Sequence, residues 1–206
     1  MTKVFVKAPG TWQMDPINIT IFDYFTAMML DKIYRSYSSS VFFSQDLQHL
    51  NDDSKKPHSF RAALAKLRYF EELGIVVQTD KSEVLKRHYP VNTLLYQVAP
   101  EKRAMDILRL NSKIQESLDS TYMAFTVAVL DYLDKNGETR SGEKINRDLG
   151  NRRVTCLPEV FRKQKKELVS IFQREGDRAH ALHYSITKDG KALLELIRNL
   201  SALLRP

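Results

Sequence analysis

Tyr184-Ser185-Ile186-Thr187-Lys188-Asp189-Gly190-Lys191-Ala192-Leu193-Leu194 decides the fold, because it joins a strand to a capped helix. Ala181 to Ile186 reads as a strand. Thr187 has a hydroxyl that can accept an early helical N–H, and Leu193, Leu194, Ile197 and Leu203 then fall on one helical face. A similar junction, Tyr96-Gln97-Val98-Ala99 followed by Pro100 to Leu108, lies 88 residues earlier, with Ala104 in the place of Ala192. Two copies of one architecture are expected.

Working outward, the first copy reads helix, short strand, short helix, helix, hairpin. Val4 to Val6 is a strand candidate, and Pro9, Gly10 and Pro16 imply irregular chain after it. Thr20 with Asp23 fits a capping box for a helix to about Arg35, with Phe22, Phe25, Met29, Leu30 and Ile33 on one face. Val41 to Phe43 is a short strand, and Ser44 caps a small helix bearing Leu47 and Leu50. A third helix runs from Pro57 to just before Gly74, burying Phe60, Ala63, Leu64 and Leu67. Its outer face carries His58, Ala62, Ala65, Lys66 and Tyr69, flanked by Arg61 and Arg68. Ile75 to Gln78 and Leu94 to Val98 complete a hairpin.

The second copy repeats this order. Thr121 to Lys135 and Ser141 to Leu149 are helices, and Pro158 opens a third that buries Phe161, Leu168, Ile171 and Phe172 before Gly176. Counting from Gly74 and Gly176 to the tyrosines, the first hairpin is expected to be 14 residues longer. Domains of 1–118 and 119–206 follow, the first including Lys102 to Leu118 as a closing helix.

Composition narrows the partner. The 206 residues are 43% hydrophobic and 28% charged, the profile of a globular chain, and carry a net charge of +7. Between Thr139 and Arg174, ten Lys and Arg face four Asp and Glu. A polyanion suits such a concentration, because each neutralised phosphate releases condensed counterions; a solvated helical surface has the same composition. One cysteine, Cys156, excludes an internal disulfide and a cysteine-rich zinc site. The longest uncharged apolar stretch, Tyr122 to Leu130, is too short to span a bilayer, so no membrane partner and a cytoplasmic location are expected.

Tyr184-Ser-Ile186-Thr187 with Lys188-Asp-Gly190-Lys-Ala192-Leu193-Leu194 resembles the last strand and following helix of winged-helix DNA-binding domains, notably MarR-type regulators. The likeness covers about a dozen residues in the second copy. The first departs from it: Ala99, Pro100 and Arg103 stand where Thr187, Lys188 and Lys191 do, and Lys102 replaces Gly190. The implied fold is α+β and predominantly helical, with two winged-helix domains in tandem. Each third helix would enter a major groove while the hairpin lies along the backbone. This puts His58, Ser59, Arg61, Ala62, Ala65 and Lys66 near base edges, with Arg68 flanking them. In the second copy Glu159, Arg162, Lys163 and Lys166 face outward, and Arg152 and Arg153 suit phosphates. Lys86 and Arg87 would be the first hairpin's phosphate contacts, Arg178 and His180 the second's.

The expected function is sequence-specific binding of double-stranded DNA, as a transcription regulator or a plasmid- or phage-type replication initiator. The alternative is a non-catalytic winged-helix scaffold in a polymerase or chromosome-organising complex. Its docking surfaces would be drawn from Met28, Met29, Tyr34, Tyr37, Leu200, Leu203 and Leu204, for most of which core packing is the default reading and a homodimer seam a further one. An enzyme is not expected, since no Gly-rich phosphate loop or nucleophile elbow occurs. No cofactor is implied. A metal at His180 and His183 is rejected because their odd spacing in a strand points them to opposite faces.

Overall fold

Helices joined by three small three-stranded sheets make this an α+β protein, mostly helical among the described residues. The structure, a computed structural model, describes residues 5–8, 11–14, 19–47, 60–80, 94–119, 123–150, 156–177 and 181–205, with the backbone alone at 5–22 and at 60. The chain divides into two compact units. The first is Phe22–Ser112 with Leu203–Pro206, and the second is Met1–Ile21 with Lys113–Ala202. The division after Ser112 falls ahead of the 118/119 boundary read from sequence.

In the first unit, α1 (Tyr24–Tyr37) begins at Asp23, whose carboxylate accepts the Thr26 N–H at 2.9 Å. Thr20 is not part of a capping box: it lies in strand β3 (Ile19–Phe22), which belongs to the second unit up to Ile21, and two isoleucines and a threonine favour extended chain there. Thr26, Ala27, Met29, Leu30 and Ile33 are buried along α1. Strand β4 (Phe42–Phe43) leads into one 3-10 turn, Ser44–Leu47, whose Leu47 is buried. Leu50 and Pro57 lie outside the described residues.

Helix α2 (Phe60–Glu72) buries Ala63, Leu67 and Phe70. It closes at Gly74 (φ +66°) with Ile75 N–H bonded to Phe70 C=O and Gly74 N–H to Glu71 C=O, a Schellman ending that requires the left-handed conformation. Strands β5 (Val76–Thr79) and β6 (Leu95–Val98) pair antiparallel, Val76 opposite Val98, and β4 joins with Phe42 opposite Tyr96, giving the order β4-β6-β5. Buried Tyr96 stacks on Phe42 with ring centroids 6.1 Å apart. Helix α3 (Lys102–Gln115) follows, burying Ala104, Ile107 and Leu108.

The second unit holds strands β1 (Phe5–Ala8) and β2 (Thr11–Met14), an antiparallel pair where Pro9 and Gly10 led the sequence reading to expect irregular chain. Its own copy of the pattern runs α4 (Met123–Asn136), β7 (Thr139–Arg140), α5 (Gly142–Asp148), α6 (Leu157–Arg162), β8 (Val169–Phe172), β9 (His183–Ile186) and α7 (Lys188–Leu203). The sheet order is β7-β9-β8, the same order as in the first unit, with Thr139 opposite Tyr184 and Val169 opposite Ile186.

The long third helix of the second copy does not form: α6 ends at Arg162, and Val169–Phe172 is a strand. Leu168, Ile171 and Phe172 satisfy a helical spacing, but the alternation of Val169 and Ile171 wins once β9 is available as a partner. Consequently Gly176 (φ +85°) serves the β8–β9 connection and is not a counterpart of Gly74. The connections are 15 residues (80–94) and 10 residues (173–182), so the first is longer by five, not by 14.

The strand–helix junctions of the two units differ in length, against the constant offset expected from sequence. In both units the residue after the last strand donates back across the sheet, Ala99 N–H to Ile75 C=O at 2.9 Å and Thr187 N–H to Leu168 C=O at 3.1 Å. The offset of 88 holds for those strands, whereas α3 and α7 begin 86 residues apart. Buried Ala104 therefore stands in the place of buried Gly190, while Ala192 is exposed. A Cβ at Gly190 would lie 2.2 Å from the Leu168 carbonyl oxygen, so this position demands the smallest side chain. Thr187 caps α7 as expected, its Oγ1 accepting the Gly190 N–H at 3.0 Å.

Candidate nucleic-acid interface

Helix α2 presents Arg61, Ala65, Arg68 and Glu72 on its exposed face, at steps of four, three and four that keep them in one row. Two guanidinium groups flank an alanine, so long cations stand beside a point where the backbone is bare. Glu71 and Glu72 close the row at the C-terminal end and leave its first two turns cationic. Behind it, burial and the nearby Glu71 carboxylate push the Tyr96 hydroxyl above its ordinary pKa, and Arg68 pulls it back.

Ala62 and Lys66, expected beside these arginines, are half-buried. Lys66 Nζ donates to Asp23 Oδ2 at 2.6 Å, with side-chain exposures of 16% and 12%. Asp23 thereby caps α1 with one oxygen and ties α2 to it with the other. Lys66 is a fastening between helices in this geometry. His58, Ser59, Lys86 and Arg87 lie outside the described residues.

In the second unit Leu157, Val160 and Phe161 are buried, and Arg162 is exposed at the last position of α6. Gln164 ends the helix. Its backbone N–H turns tightly onto Phe161 C=O at 3.2 Å, while its side-chain Nε2 takes the Val160 carbonyl at 3.1 Å that a continuing helix would have bonded to its N–H. The same amide donates to Thr126 Oγ1 and accepts from Asp119 N–H. Lys165 Nζ donates to the Gln115 carbonyl at 2.6 Å. Stitched down at 164 and 165, the segment presents Arg162, Lys163 and Lys166 to solvent. Lys163 meets Glu159 at 3.3 Å in an exposed pair, which contributes little to stability. Arg152, Arg153 and Arg178 lie outside the described residues.

Sequence reading missed a group on the second hairpin. Both ring nitrogens of buried His183 lie 2.7 Å from carboxylates, Nδ1 from Glu138 and Nε2 from Asp177. Those carboxylates also hold Arg174 at 2.8 Å and Arg140 at 3.2 Å. The hydrogen bond from Arg174, with that from His183, keeps the Glu138 carboxyl below its usual range; the bond from His183, with the charge of Arg140, does so for Asp177. Arg140 and Arg174 belong to the cationic segment the sequence marks, but their partners come from elsewhere in the chain.

Of the side chains suggested as docking surfaces, Met29 and Leu200 are buried, and the large hydrophobics exposed among the described residues are Tyr24 and Val41. No cluster of metal-ligating side chains and no helix long and apolar enough to cross a membrane occurs among the described residues. Comparison with known proteins finds no matching family model, curated protein or solved structure.

Proposed function

We propose that the chain is a tandem winged-helix protein that binds double-stranded DNA without catalysing a reaction on it. The observation that carries this is the cationic row Arg61, Ala65, Arg68 on α2, set between a short strand and a hairpin whose sheet order, β4-β6-β5, recurs in the second unit as β7-β9-β8. In such an arrangement α2 lies in a major groove, arginine forks meet guanine edges, and Ala65 lets the helix approach. Helix α6 has six residues, so the second unit contributes chiefly charge: Arg162, Lys163 and Lys166 contact phosphates rather than base edges. Regulation of transcription and marking of a replication origin both use a protein of this kind.

Fluorescence anisotropy with competing duplex fragments over a salt series tests the proposal. It requires a preferred sequence and an affinity that falls steeply with salt. Binding that is absent at low salt removes it.

A further inference from the structure

Five side chains of the second unit form an unbroken chain of charge, Arg174–Glu138–His183–Asp177–Arg140. Glu138 precedes β7, Arg140 is on it, Arg174 and Asp177 lie in the β8–β9 connection, and His183 is on β9. At the centre, the His183 ring is buried and lies on Phe172, with centroids 5.6 Å apart and planes 22° from parallel. Both flanking carboxylates are bonded at once only when each ring nitrogen carries a proton. In that form the five groups sum to a single positive charge.

At the ends of the chain the situation is reversed. Arg140 and Arg174 are 56% and 59% exposed. Each meets its carboxylate through Nη2, so most of the five N–H donors of each guanidinium point elsewhere. Exposed ion pairs of this kind add little to folding stability. What they do is fix an otherwise mobile side chain, which lessens the entropy lost when a ligand binds. A buried, doubly bonded histidine holds the two carboxylates in place so that they can do this.

We propose that Arg140 and Arg174 are a docking pair for backbone phosphodiesters on the second hairpin, with Glu138 and Asp177 as positioning residues and His183 as the brace between them. This rests on the nucleic-acid reading above. It has a consequence that simple charge counting does not share. Removing Glu138 and Asp177 makes the surface more positive, yet weakens binding.

The test is anisotropy of the full chain with a duplex of about 20 base pairs across a salt series. R140Q and R174Q are each expected to lower the slope of log affinity against log salt by about one. The E138Q/D177N double variant is expected to lose affinity about three- to tenfold at the lowest salt. Glu143→Gln, at an exposed carboxylate outside the chain, is expected to bind slightly more tightly. If E138Q/D177N binds as well as the parent or better, the positioning role is overturned. If that variant melts early, the single arginine variants decide by their slopes. Unchanged slopes in both, with the sequence preference still lost in R61Q/R68Q, overturn the docking pair alone; a parent chain that binds no duplex overturns this inference and the DNA reading together.

Discussion

From Phe60 to Glu72 the first unit makes thirteen residues helical and sets Arg61 and Arg68 on the exposed face, whereas from Leu157 the second makes only six helical and leaves Lys163 and Lys166 on the segment beyond. At 1.5 Å per residue these are rods of about 20 Å and about 9 Å. A side chain that reads a base edge must be carried into the groove at fixed register, so it needs the longer rod. A phosphate contact needs charge at the surface, which an irregular segment supplies when, as here, Gln164 and Lys165 pin it. The two units repeat one order of elements, and on the DNA-binding reading proposed above they would divide the work of binding unequally.

The largest difference expected between the units is at the strand–helix junction. Gly190→Ala forces a methyl group against the Leu168 carbonyl and should cost about 1–3 kcal/mol in urea unfolding. Ala104→Gly, the reciprocal change in the first unit, should cost about 1 kcal/mol or less. Equal effects would break the equivalence of Ala104 and Gly190.

Next comes the contrast between two lysines. Lys66→Met leaves the Asp23 carboxylate largely buried without its cation, and a loss of about 1–2 kcal/mol is expected, between the values for exposed and buried pairs. For Lys163→Met the loss should stay below about 0.5 kcal/mol, because both partners are well exposed. A Lys66 variant as stable as the parent would return that ammonium to the list of groups available for a ligand.

The smallest effect is on pH. Glu138 and Asp177 titrate lower in the folded chain, so the stability they contribute is present above their ordinary values near 4 and is lost as pH falls through the folded ones. Tyr96 and Tyr184 are both held up by burial, so theirs is complete below about pH 10 and is lost as pH rises beyond it. Amide exchange followed hairpin by hairpin should show β8–β9 loosening in acid ahead of β5–β6, and both loosening together in alkali. Simultaneous loosening in acid would deny the His183 chain a part in holding the second hairpin.

Much of this was legible along the chain because it is written in neighbouring residues. Thr187 announces its helix within three positions, Gly74 ends α2, and the spacing of α2 puts Ala63 and Leu67 inside and Ala65 outside, though Leu64, expected inside, and Ala62, Lys66 and Tyr69, expected outside, are all half-buried. What escaped was decided at a distance. Lys66 is 43 residues from Asp23, and His183 is 45 from Glu138, so no local pattern reveals either pairing. Strand β8 was hidden for another reason: Leu168, Ile171 and Phe172 fit helical spacing while Val169 and Ile171 alternate as a strand does, and pairing with β9 settles the choice. The alignment of Ala104 with Ala192 failed because two extra residues precede α3, which only burial shows.

The division of labour between the units is tested most directly by selecting a preferred duplex and measuring it against a scrambled one over a salt series. The R61Q/R68Q variant should bind both alike, with about 1–3 kcal/mol of discrimination lost for each base contact removed. R162Q/K163Q/K166Q should keep the preference and lower the salt slope by up to about three. A preference that survives in the first variant and disappears in the second would contradict the assignment of base reading to α2.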